Sequence, residues 1–249
     1  KTRLALAVAG ADAPRGGVWL LRLESLAADV PLAGPVAHLL GLGAGAEAGP
    51  QALARALGGL QLRLVVDNAE HLQAAVAELA AALLAAAPGV QLLVTSQVPL
   101  HVAGEQVLPL APLALPDSGA DAAEPAAALQ LLLQRVRQQQ PDAVVDAAAR
   151  ADAAAICHAL DGLPLALELA AARVPLLGWS GVRSRLVERL GERLSLLTRG
   201  AADAVDRHRT LRAALAWTHG LLAPAEQQVL AALSVFAGGF TLAAAVGPG

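Results

Sequence analysis

The sequence predicts an α/β domain built on a small parallel sheet, followed by an all-helical region. Three observations carry that prediction. Over the first third of the chain, short continuous apolar runs alternate with helical segments, the pattern of a parallel sheet covered on both faces. After about residue 125, helical periodicity persists and no convincing strand appears until the last residues. The 249 residues include only two Phe, three Trp and no Tyr, so the core must be leucine, valine and alanine. Such a core favours helices packed closely on one another and on a small sheet.

The elements follow in order. Residues 2–9 read as a short helix, ended by the turn-rich stretch from Gly10 to Gly17. The run VWLLRL (18–23), after a Gly-Gly break, predicts a buried strand. Residues 32–42 and 52–57 read as helices between Gly/Pro punctuation. LRLVV (62–66) predicts a second strand that ends at Asp67, and residues 70–87 a long helix stopped by Pro88-Gly89. VQLLVTS (90–96) predicts a third strand and Glu105–Leu110 a short fourth, with right-handed crossovers between strands. The Pro-, Ala- and Asp-rich stretch 111–125 predicts a linker. Helices are predicted over 126–140, 146–160, 164–174 and 182–190, a second boundary at 199–210, helices over 210–219 and 224–236, and a strand start at 237–242.

Composition excludes several classes of function. A net charge of −3 provides no global field toward nucleic acid or an anionic membrane. Arg207, Arg209 and Arg212 form a small basic cluster, but Asp203 and Asp206 lie beside it, so direct DNA binding by these residues is not expected. The most apolar stretch, 74–94, is interrupted by Glu78 and by Pro88-Gly89, short of the roughly 20 unbroken residues of a membrane span. A soluble, cytoplasmic protein with no membrane partner is expected. The single cysteine, Cys157, reads as a small buried hydrophobe. The six histidines show no metal-ligand spacing.

Three sites form an ordered set. Lys1-Thr2 opens a helix, as Lys-Ser/Thr does at the end of a phosphate loop, where the lysine reaches phosphate oxygens and the hydroxyl holds Mg²⁺. Asp67 ends an apolar strand, where a carboxylate can hold the Mg²⁺ of a nucleotide; its plainer reading is a cap for the next helix. Thr95 and Ser96 end the next strand with small hydroxyls that can meet a γ-phosphate. Ligands of open α/β sheets bind at these carboxyl ends.

With KTRLALAVA, LVVDNAEHL, LLVTSQVPL, AAICHALDGLPLALELAAARV and RHRTLRAALAWTHGLLAPAEQQVLAALSVFAGGFTL in this order, the chain resembles the nucleotide-binding core of signal-transduction ATPases with numerous domains. The branch it is most similar to is that of the large bacterial LuxR-type and SARP-type regulators, related to NB-ARC domains. The resemblance runs over nearly the whole chain. It implies a P-loop NTPase sheet lacking its first strand and Gly-rich loop (1–115), a helical lid (116–204) and the start of a winged helix (205–249). It implies a switch that binds ATP or ADP with Mg²⁺ and hydrolyses slowly.

Residue by residue, the resemblance implies that Lys1 and Thr2 are the last two positions of the phosphate loop. Asp67 coordinates Mg²⁺ and is the catalytic carboxylate. Thr95 and Ser96 form the sensor strand. Gly162, Leu163, Pro164 and Leu165 form a turn whose proline packs near adenine and ribose. The implied partners are a DNA-binding or effector domain and a helical-repeat sensor of the same regulator, and further copies on activation.

Three features depart from the family pattern. The Gly-rich part of the loop is absent, so weak binding by the chain alone is expected. Gln97 stands where the family carries arginine, removing a cationic fork for γ-phosphate. Asn68 follows Asp67 in place of a second acid, and Glu70 is the nearest carboxylate. Two other readings therefore stand beside the switch: an interaction module that has lost nucleotide control, and a conventional P-loop hydrolase.

Overall fold

The computed structural model describes residues 1–27, 30–43, 45–116, 125–142, 144–187, 215, 219–220, 222–234 and 241. It divides into two units, Lys1–Leu110 and Ala111–Gly249. The first is an α/β unit. Its elements are α1 (Thr2–Ala11), β1 (Val18–Arg22), α2 (Ala33–Leu39), α3 (Pro50–Leu57), β2 (Leu62–Asp67), α4 (Gln73–Ala86) and β3 (Val90–Val94). Single 3₁₀ turns, Ala46–Ala48 and Ala69–Leu72, precede α3 and α4.

The three strands form one parallel sheet in the order β1-β2-β3. In β2, alternation sorts the side chains onto two faces. Leu62, Leu64 and Val66 join Leu21, Leu23, Leu53, Leu57, Val76, Leu79 and Leu83 in the larger core, beneath α2, α3 and α4. Val65 points the other way, where Ala5 and Ala9 of α1 pack on it with Val18, Leu20 and Leu93. Alanines four residues apart share one helix face and let the helix backbone lie close to the sheet. The same alternation assigns Arg63 and Asp67 to the face covered by α1.

Helix α1 is held antiparallel to the strands by a contact at each end. At the amino end of β2, Arg63 Nη1 donates to the carbonyls of Ala9 at 2.7 Å and Val8 at 3.3 Å. Its Nε donates to Gln91 of β3 at 2.9 Å. At the carboxyl end, Thr2 meets Asp67 at 2.7 Å. The spans match: four residues of strand cover about 13 Å, and seven of helix about 10 Å.

The segment Ala69–Ala86 has the length and mean hydropathy, 1.2, of a membrane span. Here it lies against α3 and β3 and buries Val76, Leu79, Ala80 and Leu83 in the core. It is the only such segment among the described residues.

One expected strand is not formed. Glu105–Leu110 has no strand partner, and Val107, Leu108 and Leu110 stay exposed. The physical reason is local. The Glu105 carboxylate accepts the backbone N–H groups of Leu100 (2.8 Å) and His101 (2.7 Å), closing a turn instead of extending, and Pro109 lacks a ladder donor. The Leu100 and His101 amides, the Leu100 bond foremost, hold the Glu105 carboxyl below its ordinary range.

The second unit is helical where described: α5 (Ala127–Gln139), α6 (Ala147–Ala159), α7 (Pro164–Ala171), α8 (Val174–Val187) and α9 (Pro224–Leu233). Asp146 caps α6, its carboxylate accepting the Ala149 N–H at 2.7 Å. Leu132, Ile156, Cys157, Leu167, Leu169, Val182 and Leu186 make its core. Helix α8 starts eight residues before the predicted 182 and kinks at Gly178, whose φ is 69°. The predicted helix over 210–219 and strand start at 237–242 lie almost wholly outside the described residues, as does the boundary at 199–210.

Candidate nucleotide and cation site

Four of the residues singled out from sequence meet at the carboxyl edge of the sheet. Thr2 opens α1, Asp67 ends β2, and Thr95 and Ser96 follow β3. Both hydroxyls, of Thr2 at 2.7 Å and of Thr95 at 2.6 Å, donate to the same oxygen, Asp67 Oδ1. No described group donates to Oδ2. Asp67 is 4% exposed and is the one buried charged residue among those described. Burying a carboxylate is costly unless donors surround it. Here two hydroxyls supply them.

Lys1 Nζ donates to the Ser96 carbonyl at 2.6 Å, which brings its ammonium to the same edge. The Ser96 hydroxyl accepts the Val98 N–H at 3.2 Å and so shapes the turn after β3. The first turn of α1 has no side-chain cap and no acidic residue. An uncapped helix start carries the positive end of the helix dipole, which favours anions.

Asp67 does not act as a helix cap. That position falls to Asn68, which adopts the left-handed conformation (φ 68°, ψ 56°) and starts the 3₁₀ turn without a side-chain cap bond. The Asn68 N–H donates to Thr95 Oγ1 at 3.0 Å. Asparagine is among the few non-glycine residues that adopt this conformation readily. Its occurrence after Asp67 thus has a backbone reason. The Asn68 Nδ2 is buried with no hydrogen-bond partner. Gln97 Nε2 donates to Glu70 Oε1 at 3.3 Å.

Gly162 and Leu163 lie in the second unit, between α6 and α7, and Pro164 opens α7. Asp161 (φ 50°) and Gly162 (φ 64°) form a left-handed pair, and Gly162 N–H donates to the Cys157 carbonyl at 3.2 Å. This is the closing bond of a helix C-terminus. Gly162 also accepts from the Leu113 N–H at 3.0 Å, and a Cβ at Gly162 would collide with the Leu113 carbonyl. Leu163 and Pro164 are exposed, and Pro164 takes the first helical position of α7. Arg207, Arg209 and Arg212 lie outside the described residues.

Two positioning contacts were not read from the sequence. His71 Nε2 bonds the Leu23 carbonyl at 3.0 Å, tying the turn after β2 to β1. Arg63 anchors α1; its signal was a charge inside an otherwise apolar strand. Among the described residues, no three His, Cys, Asp or Glu side chains gather into a cage for a metal. The Asp67 carboxylate and the Thr2 hydroxyl are hard oxygen donors. They suit Mg²⁺, which keeps waters and phosphate oxygens in its shell and needs few protein ligands.

No family model matches the chain, and no solved structure matches it. It is similar to curated mycobacterial proteins. It is 34% identical over 245 residues to the "Putative HTH-type transcriptional regulator Rv0890c" of Mycobacterium tuberculosis, and equally to its Mycobacterium bovis counterpart, Mb0914c. The match covers 98% of this chain but 26% of each relative, so the chain spans about a quarter of their length. It is also 36% identical over 179 residues to the "Uncharacterized protein Rv0894" of M. tuberculosis, covering 72% of this chain and 42% of that protein.

Proposed function

We propose that the chain is the nucleotide-binding part of a regulatory switch, a P-loop ATPase core of the NB-ARC-like kind, in a bacterial transcriptional regulator. The observation that carries this reading is the convergence of Thr2 and Thr95 on Asp67, with Lys1 beside them, at the carboxyl edge of a parallel sheet. Thr2 and Asp67, 65 positions apart in sequence, meet there, and the first turn of α1 has no side-chain cap and no acidic residue. The names of the mycobacterial relatives support the regulatory half. A cytoplasmic location, and neighbouring effector and sensor domains that the switch controls, go with that reading.

In this proposal Lys1 and the α1 N-terminus hold the phosphates of ATP or ADP. Thr2 and Asp67 hold Mg²⁺, which neutralises phosphate charge when bound. The buried Asp67 carboxylate accepts the Thr2 and Thr95 hydroxyls. Asn68 offers no second carboxylate to orient water, so turnover is slow and the nucleotide acts as a state marker. Gly162, Leu163 and Pro164 are assigned to the base-side lid.

Calorimetric titration of ADP and ATP, with Mg²⁺ and with EDTA, tests the reading. Saturable binding that Mg²⁺ strengthens is expected. No heat with either nucleotide at millimolar concentration overturns it. That outcome would favour a nucleotide-independent interaction module, for which Gln97, in the position where relatives by resemblance carry arginine, is the supporting feature.

A further inference from the structure

We infer that Thr95 is a positioning residue that acts through Asp67: it turns the carboxylate so that Oδ2 is the oxygen offered to the divalent cation. This deepens the reading above and rests on it. It gives the Thr95 hydroxyl a task other than phosphate contact.

Three observations on one residue carry the inference. First, Thr95 Oγ1 donates to Asp67 Oδ1 at 2.6 Å. A hydroxyl has one proton, so it cannot donate to a phosphate oxygen while this bond stands. Second, the same oxygen accepts the Asn68 N–H at 3.0 Å. The hydroxyl is thereby fixed from both sides, as donor and as acceptor. Third, the backbone holds the pair in register: Thr95 N–H donates to the Val66 carbonyl at 2.9 Å, and the Thr95 carbonyl accepts the Ala69 N–H at 2.9 Å. Thr95 is thus clamped to the residues on both sides of Asp67.

The consequence lies in the two oxygens of Asp67. Thr2 and Thr95 both occupy Oδ1, and no described group donates to Oδ2. A carboxylate held by one oxygen presents the other in a fixed direction. The Thr2 hydroxyl, itself a proposed ligand, can adjust when a cation arrives. Thr95 is the donor that keeps Oδ1 engaged throughout. The left-handed turn at Asn68 belongs to the same device, because it carries the chain on to Ala69, whose N–H meets the Thr95 carbonyl.

The test uses Thr95→Val, which keeps the shape and removes the hydroxyl, and Thr95→Ser, which keeps the hydroxyl. The quantity read is the ratio of ADP affinities with excess Mg²⁺ and with EDTA. Outer-sphere partners of metal ligands typically change metal affinity 10- to 100-fold when removed. The Thr95→Val ratio is therefore expected to fall about tenfold or more, with affinity in EDTA unchanged, and Thr95→Ser is expected to restore it. In an Asp67→Asn background, Thr95→Val is expected to add nothing. A Thr95→Val protein with the wild-type ratio overturns the inference. So does a loss in EDTA equal to the loss in Mg²⁺, which marks a purely structural role. If Thr95→Val does not fold, a Thr95→Ser protein whose Mg²⁺ dependence is lost overturns it as well. Wild-type protein that binds no ADP overturns the nucleotide reading instead, a different outcome from either.

Discussion

Two hydroxyls converge on one oxygen of a buried carboxylate, and the residue after it bends the chain the left-handed way. At this scale, Asn68 is set by backbone geometry. A β-branched residue pays the full cost of a left-handed φ, about 1–2 kcal/mol. Asn68→Val is expected to lower unfolding free energy by about that much in urea denaturation, and Asn68→Gly to stay near wild type. Equal losses in both would show that the Asn68 side chain, not its backbone, matters. Cys157 is the other residue with a definite expectation. Burial in the helical core pushes its thiol up to about 12. Its folded value lies above that of a free thiol, about 8.5. The stability attached to the neutral thiol is therefore fully present below about pH 8.5 and lost as pH rises toward 12. Cys157→Ala is expected to flatten that alkaline decline. The sequence made Asp67, Thr2 and Thr95 legible because each ends or opens an element. It did not show that Thr95 faces Asp67, since strand register is a tertiary property.

At the scale of elements, α1 is a lever fixed at two points. Its amino end meets Asp67, and its carbonyl end is held by Arg63. Arg63→Ala removes donors to Val8 and Ala9 and leaves the site residues in place. Hydrogen bonds from a charged group contribute about 1.5–3 kcal/mol. Faster amide exchange is expected at the last turn of α1, with β2 unchanged. Unchanged exchange in α1 would mean that Ala5 and Ala9 hold the helix by packing alone. The three strands were legible from their continuous apolar runs. The apolar run at 105–110 misled for a physical reason: a carboxylate that closes its own turn outweighs strand propensity. Helix α8 was read late because Gly178 and Gly181 break its periodicity.

At the scale of the molecule, two units with separate cores are joined at Leu110 and Ala111. The phosphate and cation side of the proposed site is built wholly within the first unit, from Lys1, Thr2, Asp67 and Thr95. The Gly162–Pro164 turn belongs to the second, where a left-handed pair and the Leu113 backbone fix it. The proposed switch needs the first unit to bind Mg²⁺ and phosphate through Asp67. The most direct measurement is the thermal midpoint of wild-type and Asp67→Ala protein, each with and without ADP and Mg²⁺. A ligand at a hundred times its dissociation constant stabilises the folded state by about 2.7 kcal/mol. The account predicts a rise in midpoint for wild type with Mg²⁺ and ADP together, and none for Asp67→Ala. An equal rise in both proteins, or no rise in wild type, would contradict it.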